Sequence, residues 1–431
     1  MIWKGLTGYV VGGPLFKLFF SVIFRHMCGI FGYIGPRKDS ADIVLSGLKT
    51  LEYRGYDSWG IAVKNGDILK IEKHTGKIGN AKTFLPKSNI GIGHTRWATH
   101  GGVTEANAHP HSDCKGEIAL IHNGIVENFL EIKNTLLKKG HKFKSETDTE
   151  VVAHLIEENL KKHNFKDAVR LSFNQLSGMN AIVVLNSKSS QIVALKNGSP
   201  LVVGVGEGEY FLASDANGIL KYTDKVVFLE DHQMAVLHDD LEILSLPKGL
   251  KIKTKIEKID WKFEESNLGN HKHFFIKEIF EEPRVVKNIA LNGIDYAQDM
   301  SKIISKARGV FLIACGSASY AANAAVYLFS KVAKKHVNFA VGSEFKYIED
   351  FVVPETLVIP ISQSGESIDV IEPINKVKKD RGAKVASIVN VLGSTLYRIS
   401  DFNFMLEAGP EKAVVATKSF SAMLSAVILL S

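Results

Sequence analysis

The sequence has few cysteines. Its 431 residues contain three of them, Cys28, Cys114 and Cys315, which are too few and too scattered for a disulfide framework. A small disulfide-stapled secreted domain is therefore excluded, and we expect a reducing compartment, the cytoplasm. Hydrophobic residues make up 45% of the chain and charged residues 23%, and a chain of this length and composition predicts two globular domains.

Apolar runs long enough to cross a membrane are also lacking. The most apolar stretch, residues 10–24, is interrupted by Pro14 and Lys17, whereas a spanning helix needs about 18 to 20 apolar residues in a row. The stretch resembles a weak signal-peptide core, but no small-residue cleavage site follows it. We interpret residues 1–27 as an extension that arises from an upstream start codon. A removable propeptide is the second alternative and a membrane anchor the third.

Charge of one sign is not concentrated in any segment. The net charge of +7 would suit a nucleic-acid partner, but the lysines are spread over amphipathic stretches such as residues 136–139 and form no basic block. We interpret them as solvated surface, and we expect neither a nucleic-acid partner nor a membrane partner.

Two patterns of apolar residues divide the chain. Residues 28–246 are rich in buried-strand patterns, with helical spacing at residues 41–51 and 149–161. A segment rich in Lys and Glu, residues 247–275, predicts a linker. In residues 276–431 strand patterns lead into helices, which predicts a parallel, doubly wound sheet whose ligand lies beyond the carboxyl ends of its strands. The strand patterns are at residues 90–96, 118–122, 180–185, 310–314, 356–361 and 383–389.

The string around Cys28 is the most informative one in the chain. Residues 27–35 read MCGIFGYIG. A thiol needs a base to become a thiolate at neutral pH, and a free α-amine on Cys28, with a pKa of about 8, would be that base. In the full sequence, the peptide bond from Met27 blocks this amine.

Three further motifs carry polar residues beside predicted strands or helices. Residues 94–101 read HTRWATHG, Asn123 and Gly124 follow a buried strand, and Asp148 stands at the head of a helix. On these residues alone, Asn-Gly indicates a hairpin turn and Asp148 a helix cap. An Arg-Trp pair alone is often surface packing.

Together with residues 27–35, these motifs resemble the class II glutamine amidotransferases. The resemblance implies a glutaminase domain with a four-layer αββα N-terminal-nucleophile fold over residues 28–246. It makes Cys28 the nucleophile, and it makes the side chain of Asn123 and the backbone of Gly124 the oxyanion donors, each worth about 3 kcal/mol. The residues implied to hold glutamine are Arg96, Trp97, Thr99, His100 and Asp148, with Arg96 on its carboxylate and Asp148 on its ammonium group.

A histidine pair beside a cysteine raises the question of a metal site. His109, His111 and Cys114 are close in sequence, but their spacing matches no standard zinc pattern and no second ligand pair is apparent. We expect a structural role for these side chains, with no metal ion.

A serine-rich turn follows the strand at residues 356–361. It reads SQSGES and offers hydroxyls and a glycine before a helix, where backbone N–H groups and the helix dipole favour a phosphate. A simple helix cap is the alternative. The turn resembles the phosphate loop of sugar isomerase (SIS) domains, as do two other short motifs. The residues implied to bind sugar phosphate are Cys315, Gly316, Ser317, Ser362, Gln363, Ser364, Ser367 and Val414.

In this order the motifs resemble the glutamine:fructose-6-phosphate aminotransferase family from Met27 to Ser431. The resemblance implies an α/β protein with an αββα glutaminase domain followed by an αβα SIS domain. Its substrates are glutamine and fructose 6-phosphate, its product is glucosamine 6-phosphate, and it needs no cofactor. The family has a second SIS domain, so we expect a truncated chain that keeps glutaminase activity, lacks most synthase activity and forms a homodimer when that domain is supplied. A non-catalytic sugar-phosphate sensor is the alternative hypothesis.

Overall fold

The computed structural model describes residues 28–259, 268–413 and 415–431. The extension expected over residues 1–27 and the sugar-contact candidate Val414 lie outside the described residues. Among the helices of these ranges, none combines the length and the apolar character that a membrane span requires.

Antiparallel strands and four α-helices make up most of the described residues 28–259. The strands are β1 (Gly29–Ile34), β2 (Ser58–Asn65), β3 (Ile68–Thr75), β4 (Ile90–Arg96), β5 (His111–Ser112), β6 (Ile118–Gly124), β7 (Asn180–Asn186), β8 (Ile192–Asn197), β9 (Val202–Val205), β10 (Tyr210–Ala213), β11 (Lys225–Phe228), β12 (Gln233–Leu237), β13 (Leu241–Ser245), β14 (Leu250–Ile252) and β15 (Glu257–Lys258). The helices are α1 (Ser40–Leu51), α2 (Phe129–Lys138), α3 (Glu150–Leu160) and α4 (Phe165–Phe173).

These strands form two sheets that pack face to face. The first sheet has the order β15-β11-β9-β10-β1-β4-β2-β3, and the second has the order β14-β13-β12-β8-β7-β6-β5. Helix α1 lies on β1 and β4 of the first sheet, while α3 and α4 lie on the outer face of the second. The layers therefore run helix, sheet, sheet, helices, which confirms the predicted αββα fold.

Alternation along β1 shows why the layers form. Ile30 and Ile34 point into the core between the two sheets, whereas Phe31 and Tyr33 point toward α1, because successive side chains of a strand face opposite sides. Gly47 of α1 lets the helix approach this second face, since a Cβ there would lie 2.3 Å from Cδ2 of Phe31. Both faces of the strand are buried, and the hydroxyl of Tyr33 finds a partner in Oε2 of Glu209 at 2.8 Å.

The expected linker over residues 247–275 needs a correction. Strand β14 pairs with β13, and β15 pairs with β11, so the two sheets extend to Lys258. These short edge strands contain exposed lysines and lack the apolar alternation that predicts a strand. Residues 260–267 lie outside the described part, and the next helix begins at Phe274.

The rest of the chain is a parallel sheet with helices on both faces. Its strands are β16 (Gly309–Ala314), β17 (Asn338–Val341), β18 (Thr356–Ser362), β19 (Lys384–Val389) and β20 (Phe402–Met405). Its helices are α5 (Phe274–Asn292), α6 (Ile294–Lys306), α7 (Ser317–Leu328), α8 (Gly342–Phe345), α9 (Ile368–Arg381), α10 (Thr395–Ile399) and α11 (Lys418–Leu430).

The strand order of this sheet is β17-β16-β18-β19-β20, with all pairs parallel. Val310, Leu312 and Ala314 of β16 belong to the core under α5, α6, α7 and α11, and Phe311 and Ile313 belong to the core on the opposite face. This is the predicted doubly wound αβα fold, which is confirmed. From β16 the chain adds β17 on one side and β18 on the other, so the strand order reverses between β16 and β18. Ligands of such sheets bind beyond the carboxyl ends of the strands at that point.

Candidate active sites

Cys28 is the first described residue and directly precedes β1. Its Sγ accepts a hydrogen bond from the backbone N–H of Trp97 at 3.2 Å, and its carbonyl oxygen accepts one from Nε of Arg54 at 3.3 Å. Burial raises the pKa of the Cys28 thiol to about 11, because desolvation disfavours the thiolate more than the nearby donors stabilise it. The thiol is therefore protonated at neutral pH and requires a base.

The start of β1 is held by side chains from two distant segments. The N–H of Gly29 donates to Oγ1 of Thr95 at 3.1 Å, and the N–H of Ile30 donates to Oγ of Ser214 at 3.1 Å. A side chain at residue 29 would not fit, since a Cβ would lie 2.5 Å from Oγ1 of Thr95. These bonds fix the backbone from which the Cys28 side chain projects.

Asn123, near the end of β6, contacts Cys28 directly. Its Nδ2 donates to the Cys28 carbonyl oxygen at 2.8 Å, and its Oδ1 lies 3.0 Å from Nε2 of His94. Burial lowers the pKa of His94 to about 3, so the ring is neutral and its Nε2–H donates to Oδ1. This bond turns the amide nitrogen of Asn123 toward Cys28.

Gly124 ends the same strand in a conformation that suits only glycine. Its φ is +129°, and a Cβ there would lie 2.0 Å from the carbonyl oxygen of Met179. A substituted residue would clash with backbone and force the strand end to move. The two predicted oxyanion donors are thus adjacent, and one of them is bonded to Cys28.

Arg96 shapes the loop that carries the other predicted glutamine contacts. Its guanidinium donates to the carbonyl oxygens of Gly102 at 3.1 Å and Gly101 at 3.3 Å, and also to that of His100. In the same loop, the N–H of Ala98 donates to the carboxylate of Asp57. The loop therefore folds around a buried cation, while the side chain of Thr99 is exposed.

The Trp97 ring, next to Cys28, packs edge-on against Tyr56 with centroids 5.0 Å apart. His100 packs edge-on against Phe129 with centroids 5.6 Å apart. Both rings are partly exposed. They are oriented by aromatic neighbours and keep a face toward solvent.

Asp148 is buried and does not cap the helix that follows it. The residue before α3 is Thr149, and no side chain caps that helix end. Oδ2 of Asp148 instead accepts a hydrogen bond from the N–H of Val126 at 2.7 Å. The carboxylate therefore lies beside the chain just after Gly124, and the helix-cap alternative does not hold.

Of the three residues considered for a metal site, His109 and His111 pack edge-on with ring centroids 4.6 Å apart, but Cys114 does not join them. His109 stacks on His94 with centroids 4.1 Å apart, and Nε2 of His111 lies 3.1 Å from Oγ1 of Thr147. Cys114 has other partners, at 3.5 and 3.6 Å from Nδ1 of His154 and His141.

The serine-rich turn connects β18 to α9, at the place in the parallel sheet where the strand order reverses. Oγ of Ser362 accepts from the N–H of Gly365 at 3.0 Å and lies 3.3 Å from Oγ of Ser367. Oγ of Ser364 accepts from the N–H of Glu366 at 3.1 Å. The hydroxyls thus curl around the start of α9, where N–H groups favour an anion.

The second predicted sugar motif emerges from the neighbouring strand. Cys315 and Gly316 follow β16, Ser317 begins α7, and Gly316 has a φ of +57°. Because β16 and β18 are paired with Ala314 opposite Ile361, this turn and the serine-rich turn share one edge. The predicted sugar-phosphate residues of the described chain therefore gather at one end of the sheet.

Known proteins combine these same features. Residues 67–259 match the family model of the glutamine amidotransferase domain, and residues 303–431 match that of the SIS domain. The glutamine–fructose-6-phosphate aminotransferase (isomerizing) of Thermococcus kodakarensis is 43% identical over 413 residues, covering 94% of this chain and 68% of that protein. The protein of the same name from Pyrococcus horikoshii is 44% identical over 414 residues, covering 94% and 69%.

The chain belongs to the glutamine–fructose-6-phosphate aminotransferase family. The family predicted from the sequence is therefore confirmed. Among solved structures, a glutamine phosphoribosylpyrophosphate amidotransferase from B. subtilis is 20% identical and covers 84% of this chain and 81% of its own, with a TM-score of 0.45.

A cleft separates the two parts of this aminotransferase-family chain. A cavity of about 1320 Å³ is lined by Lys49 and Asn217 from the first part and by Gln363 and Glu411 from the second. Across the same boundary, Nη1 of Arg398 lies 2.7 Å from Oε1 of Glu230. Among the predicted site residues that the structure describes, Gln363 of the serine-rich turn lines this cleft.

The buried cation Arg54 acts on both candidate sites. Burial raises the pKa of Glu366 in the serine-rich turn, and hydrogen bonds from Thr395 and the positive charge of Arg54 oppose that rise. Arg54 donates to the Cys28 carbonyl and pairs with Asp215 at 3.5 Å. The same cation thus acts on the backbone of one site and a carboxylate of the other.

Proposed function

We propose that this chain hydrolyses the side-chain amide of glutamine at Cys28 and delivers the ammonia to fructose 6-phosphate, which yields glucosamine 6-phosphate. The supporting observation is the environment of Cys28. Its thiol is next to a backbone N–H of Trp97 and its carbonyl is bonded to Nδ2 of Asn123. The relatives at 43% and 44% identity carry the name of this activity.

The glutaminase step begins with activation of the thiol. With Met27 removed, the free α-amine of Cys28 accepts the thiol proton, and the thiolate sulfur attacks the amide carbon of glutamine. Negative charge develops on the amide oxygen, and Nδ2 of Asn123 and the N–H of Gly124 donate to it. The carbon–nitrogen bond of the amide then breaks, and the α-ammonium group of Cys28 gives its proton to the leaving nitrogen, which departs as ammonia. Water hydrolyses the thioester that remains on Cys28 and releases glutamate.

The amino-acid end of glutamine needs charges of both signs. We assign the ammonium group to the buried carboxylate of Asp148 and the carboxylate to Arg96, while Trp97, Thr99 and His100 line and cover the pocket. Folding has already removed the Asp148 carboxylate from water and given it a hydrogen bond. Little further desolvation of this group is therefore needed when it binds a charged partner. Arg96 also orders the covering loop through three backbone carbonyls.

The sugar phosphate is assigned to the edge where β16 and β18 end. Ser362, Gln363, Ser364 and Ser367 would hold the phosphate, with the turn of Cys315, Gly316 and Ser317 beside it. Neutral hydroxyls and N–H groups at a helix start suit a dianionic phosphate without a metal ion. Val414 remains assigned to the sugar, outside the described residues.

Two further proposals concern the cellular compartment and the oligomeric state. Cys28, Cys114 and Cys315 are all free thiols, which supports a reducing compartment, the cytoplasm. We also propose a homodimer once a second SIS domain is supplied, and the exposed apolar side chains of Phe275, Phe280 and Leu291 on α5 support a surface for association. Light scattering of the chain mixed with that domain, at several concentrations, tests it, and a complex with one copy of each throughout would contradict it.

Glutamate release and sugar binding, measured on the same protein, test the function. We expect Cys28→Ala to lower glutamate release at least about 10³-fold and to leave binding of fructose 6-phosphate, measured by calorimetry, unchanged. Incubation with both substrates and detection of glucosamine 6-phosphate tests the transfer step. Glutaminase activity that survives in Cys28→Ala would remove the nucleophile from the proposal.

A further inference from the structure

Four potential metal ligands converge near the amino-terminal end of β6. Cys114 is in the turn between β5 and β6, and His141 follows α2. His154 and Glu157 are three residues apart on α3, so they share one helix face. One ligand atom from each side chain lies within 4.8 Å of every other.

Five of the six distances between these atoms match the edges of a tetrahedron, and the sixth, from Sγ of Cys114 to the Glu157 carboxylate, is within 4.8 Å. Sγ of Cys114 is 3.6 Å from Nδ1 of His141 and 3.5 Å from Nδ1 of His154, and the two Nδ1 atoms are 3.3 Å apart. Oε2 of Glu157 is 3.1 Å from Nδ1 of His141 and 3.4 Å from that of His154. Tetrahedral zinc, with typical bonds to sulfur, nitrogen and oxygen, has edges of about 3.5 Å involving sulfur and about 3.3 Å between lighter atoms.

Hydrogen bonds alone do not explain this arrangement. Each Nδ1 faces three ligand atoms at 3.1 to 3.6 Å, whereas an imidazole Nδ1 carries either one proton or one lone pair, directed along a single line in the ring plane. A single cation at the centre would contact all four atoms at once.

The outer nitrogens of both histidines face carboxylates. Nε2 of His141 is 2.9 Å from Oε1 of Glu158. Nε2 of His154 is buried without a hydrogen bond of ordinary geometry and is 3.5 Å from Oε1 of Glu150. Histidines that bind metals commonly have a carboxylate on the other nitrogen, which orients the ring. The N–H of Cys114 also donates to Oε2 of Glu157 at 3.2 Å, so the carboxylate is oriented too.

The charges and donor types indicate the class of ion. A thiolate and a carboxylate together carry two negative charges, which a divalent cation balances, and both histidines are neutral ligands. Sulfur and imidazole donors favour zinc and similar transition metals over magnesium or calcium. Both histidines are buried, while Cys114 is exposed, so an ion can enter from solvent on the cysteine side.

We propose that Cys114, His141, His154 and Glu157 bind one divalent transition-metal ion, with Zn²⁺ the best match. Four protein ligands leave no open position, which is typical of a structural site. It lies at the opposite end of β6 from Asn123, a strand of seven residues and therefore about 20 Å long. The ion thus has a role separate from the chemistry at Cys28, and the expectation of no metal from the sequence is revised at these four residues.

The site also supports the loop that leads to Asp148. Beyond His154, Glu150 accepts hydrogen bonds from the N–H of Lys144 at 2.7 Å and from the N–H and Oγ of Ser145 at 2.6 Å each. An ion that fixes His154 would fix Glu150 and, through it, the turn at residues 144–149. Loss of the ion should loosen this turn as well as lower stability.

Metal content of the full chain is the direct test. The protein is purified reduced, without a polyhistidine tag, exposed to micromolar Zn²⁺ and dialysed. We expect about one zinc per chain, and with Co²⁺ a thiolate-to-cobalt absorption band. Cys114→Ser and His154→Gln should each lose the tightly bound ion. Cys114→His keeps a ligand, so it should retain metal and lose the thiolate band.

Two controls separate this site from other metal binders. Cys28→Ala removes the one thiol that has an α-amine beside it in processed protein, and His163→Gln changes an exposed histidine just after α3. Both should keep one zinc per chain. A chelator should lower the Tm of the parent by about 5 to 10 °C and leave that of Cys114→Ser unchanged. No zinc uptake by the parent, or full uptake by both Cys114→Ser and His154→Gln, would overturn the proposal.

Discussion

The two candidate active sites are assembled in different ways. Around Cys28, hydrogen bonds join residues far apart in the chain, with Gly29 bonded to Thr95, Ile30 to Ser214 and Asn123 to Cys28. The serine hydroxyls of the serine-rich turn instead bond within residues 362–367, while Glu366 of the turn is held by Thr395. The glutaminase site therefore exists only when several strands are in register, whereas the hydroxyls of the phosphate loop are arranged by bonds between near neighbours in the chain.

The sites also differ in how they depend on protonation. Burial raises the pKa of Cys28 to about 11, so its reactivity depends on a base. The hydroxyls of the serine-rich turn do not titrate near neutral pH. Glutaminase activity should thus depend strongly on pH where sugar-phosphate binding does not, apart from titration of the phosphate itself.

Removal of an oxyanion donor should have the largest effect on the long-range site. Asn123→Ala loses Nδ2, so we expect kcat for glutamine hydrolysis to fall about 10²- to 10³-fold with a small change in KM. Asn159→Ala on α3 removes an amide that bonds to Ser172, and it should leave kcat unchanged. Equal loss in both variants would indicate general destabilisation and contradict the role of Asn123.

Arg96 sharpens the comparison because it acts through a whole loop. Arg96→Lys keeps the charge and loses the planar fork that reaches three carbonyl oxygens. We expect KM for glutamine to rise about 10-fold or more, with a smaller change in kcat, in steady-state glutaminase assays. An unchanged KM would remove Arg96 from glutamine binding.

Sequence patterns predict the local site better than the long-range one. The strand at residues 90–96 was predicted with its observed bounds, and a helix follows the serine-rich turn as predicted, because apolar runs and turn residues act over short distances. The roles of Thr95 and Ser214 were missed, since their contacts with β1 span 66 and 184 residues and their neighbourhoods look like ordinary strands. These roles depend on which strands pair in three dimensions, and the local sequence pattern does not contain that information.

The four-ligand cluster was missed for the same reason. Its members come from a turn, a loop and a helix, and the separation between Cys114 and His141 is 27 residues, unlike the short ligand pairs of standard zinc motifs. In the sequence, His109 and His111 are the histidines nearest to Cys114, but in the structure they face other partners. The signal available in the sequence was the pair His154 and Glu157, a histidine and a glutamate three residues apart on one helix.

A substitution in the phosphate loop should have the smallest effect, and that effect should be confined to sugar-phosphate binding. Ser364→Ala removes one hydroxyl, and a hydrogen bond to a charged group contributes about 1.5 to 3 kcal/mol, so we expect the Kd for fructose 6-phosphate to rise at least about 10-fold. Glutamate release should be unchanged, because the loop is local. Ser305→Ala on α6, exposed and remote from the turn, serves as the matched control for Kd. A loss of glutaminase activity in Ser364→Ala would contradict the separation of the two sites.

The central claim is that Cys28 uses its own α-amine as the base. The direct measurement compares glutamine hydrolysis, as kcat/KM against pH, between protein that begins at Cys28 and protein that retains Met27. The amine must be neutral to accept the proton, so activity of the Cys28-start protein should rise with pH through a pKa of about 8 and be lost as pH falls below it. The protein with Met27 has a non-basic amide nitrogen there and should be inactive at every pH. Equal rates and equal pH profiles for the two proteins would contradict the account.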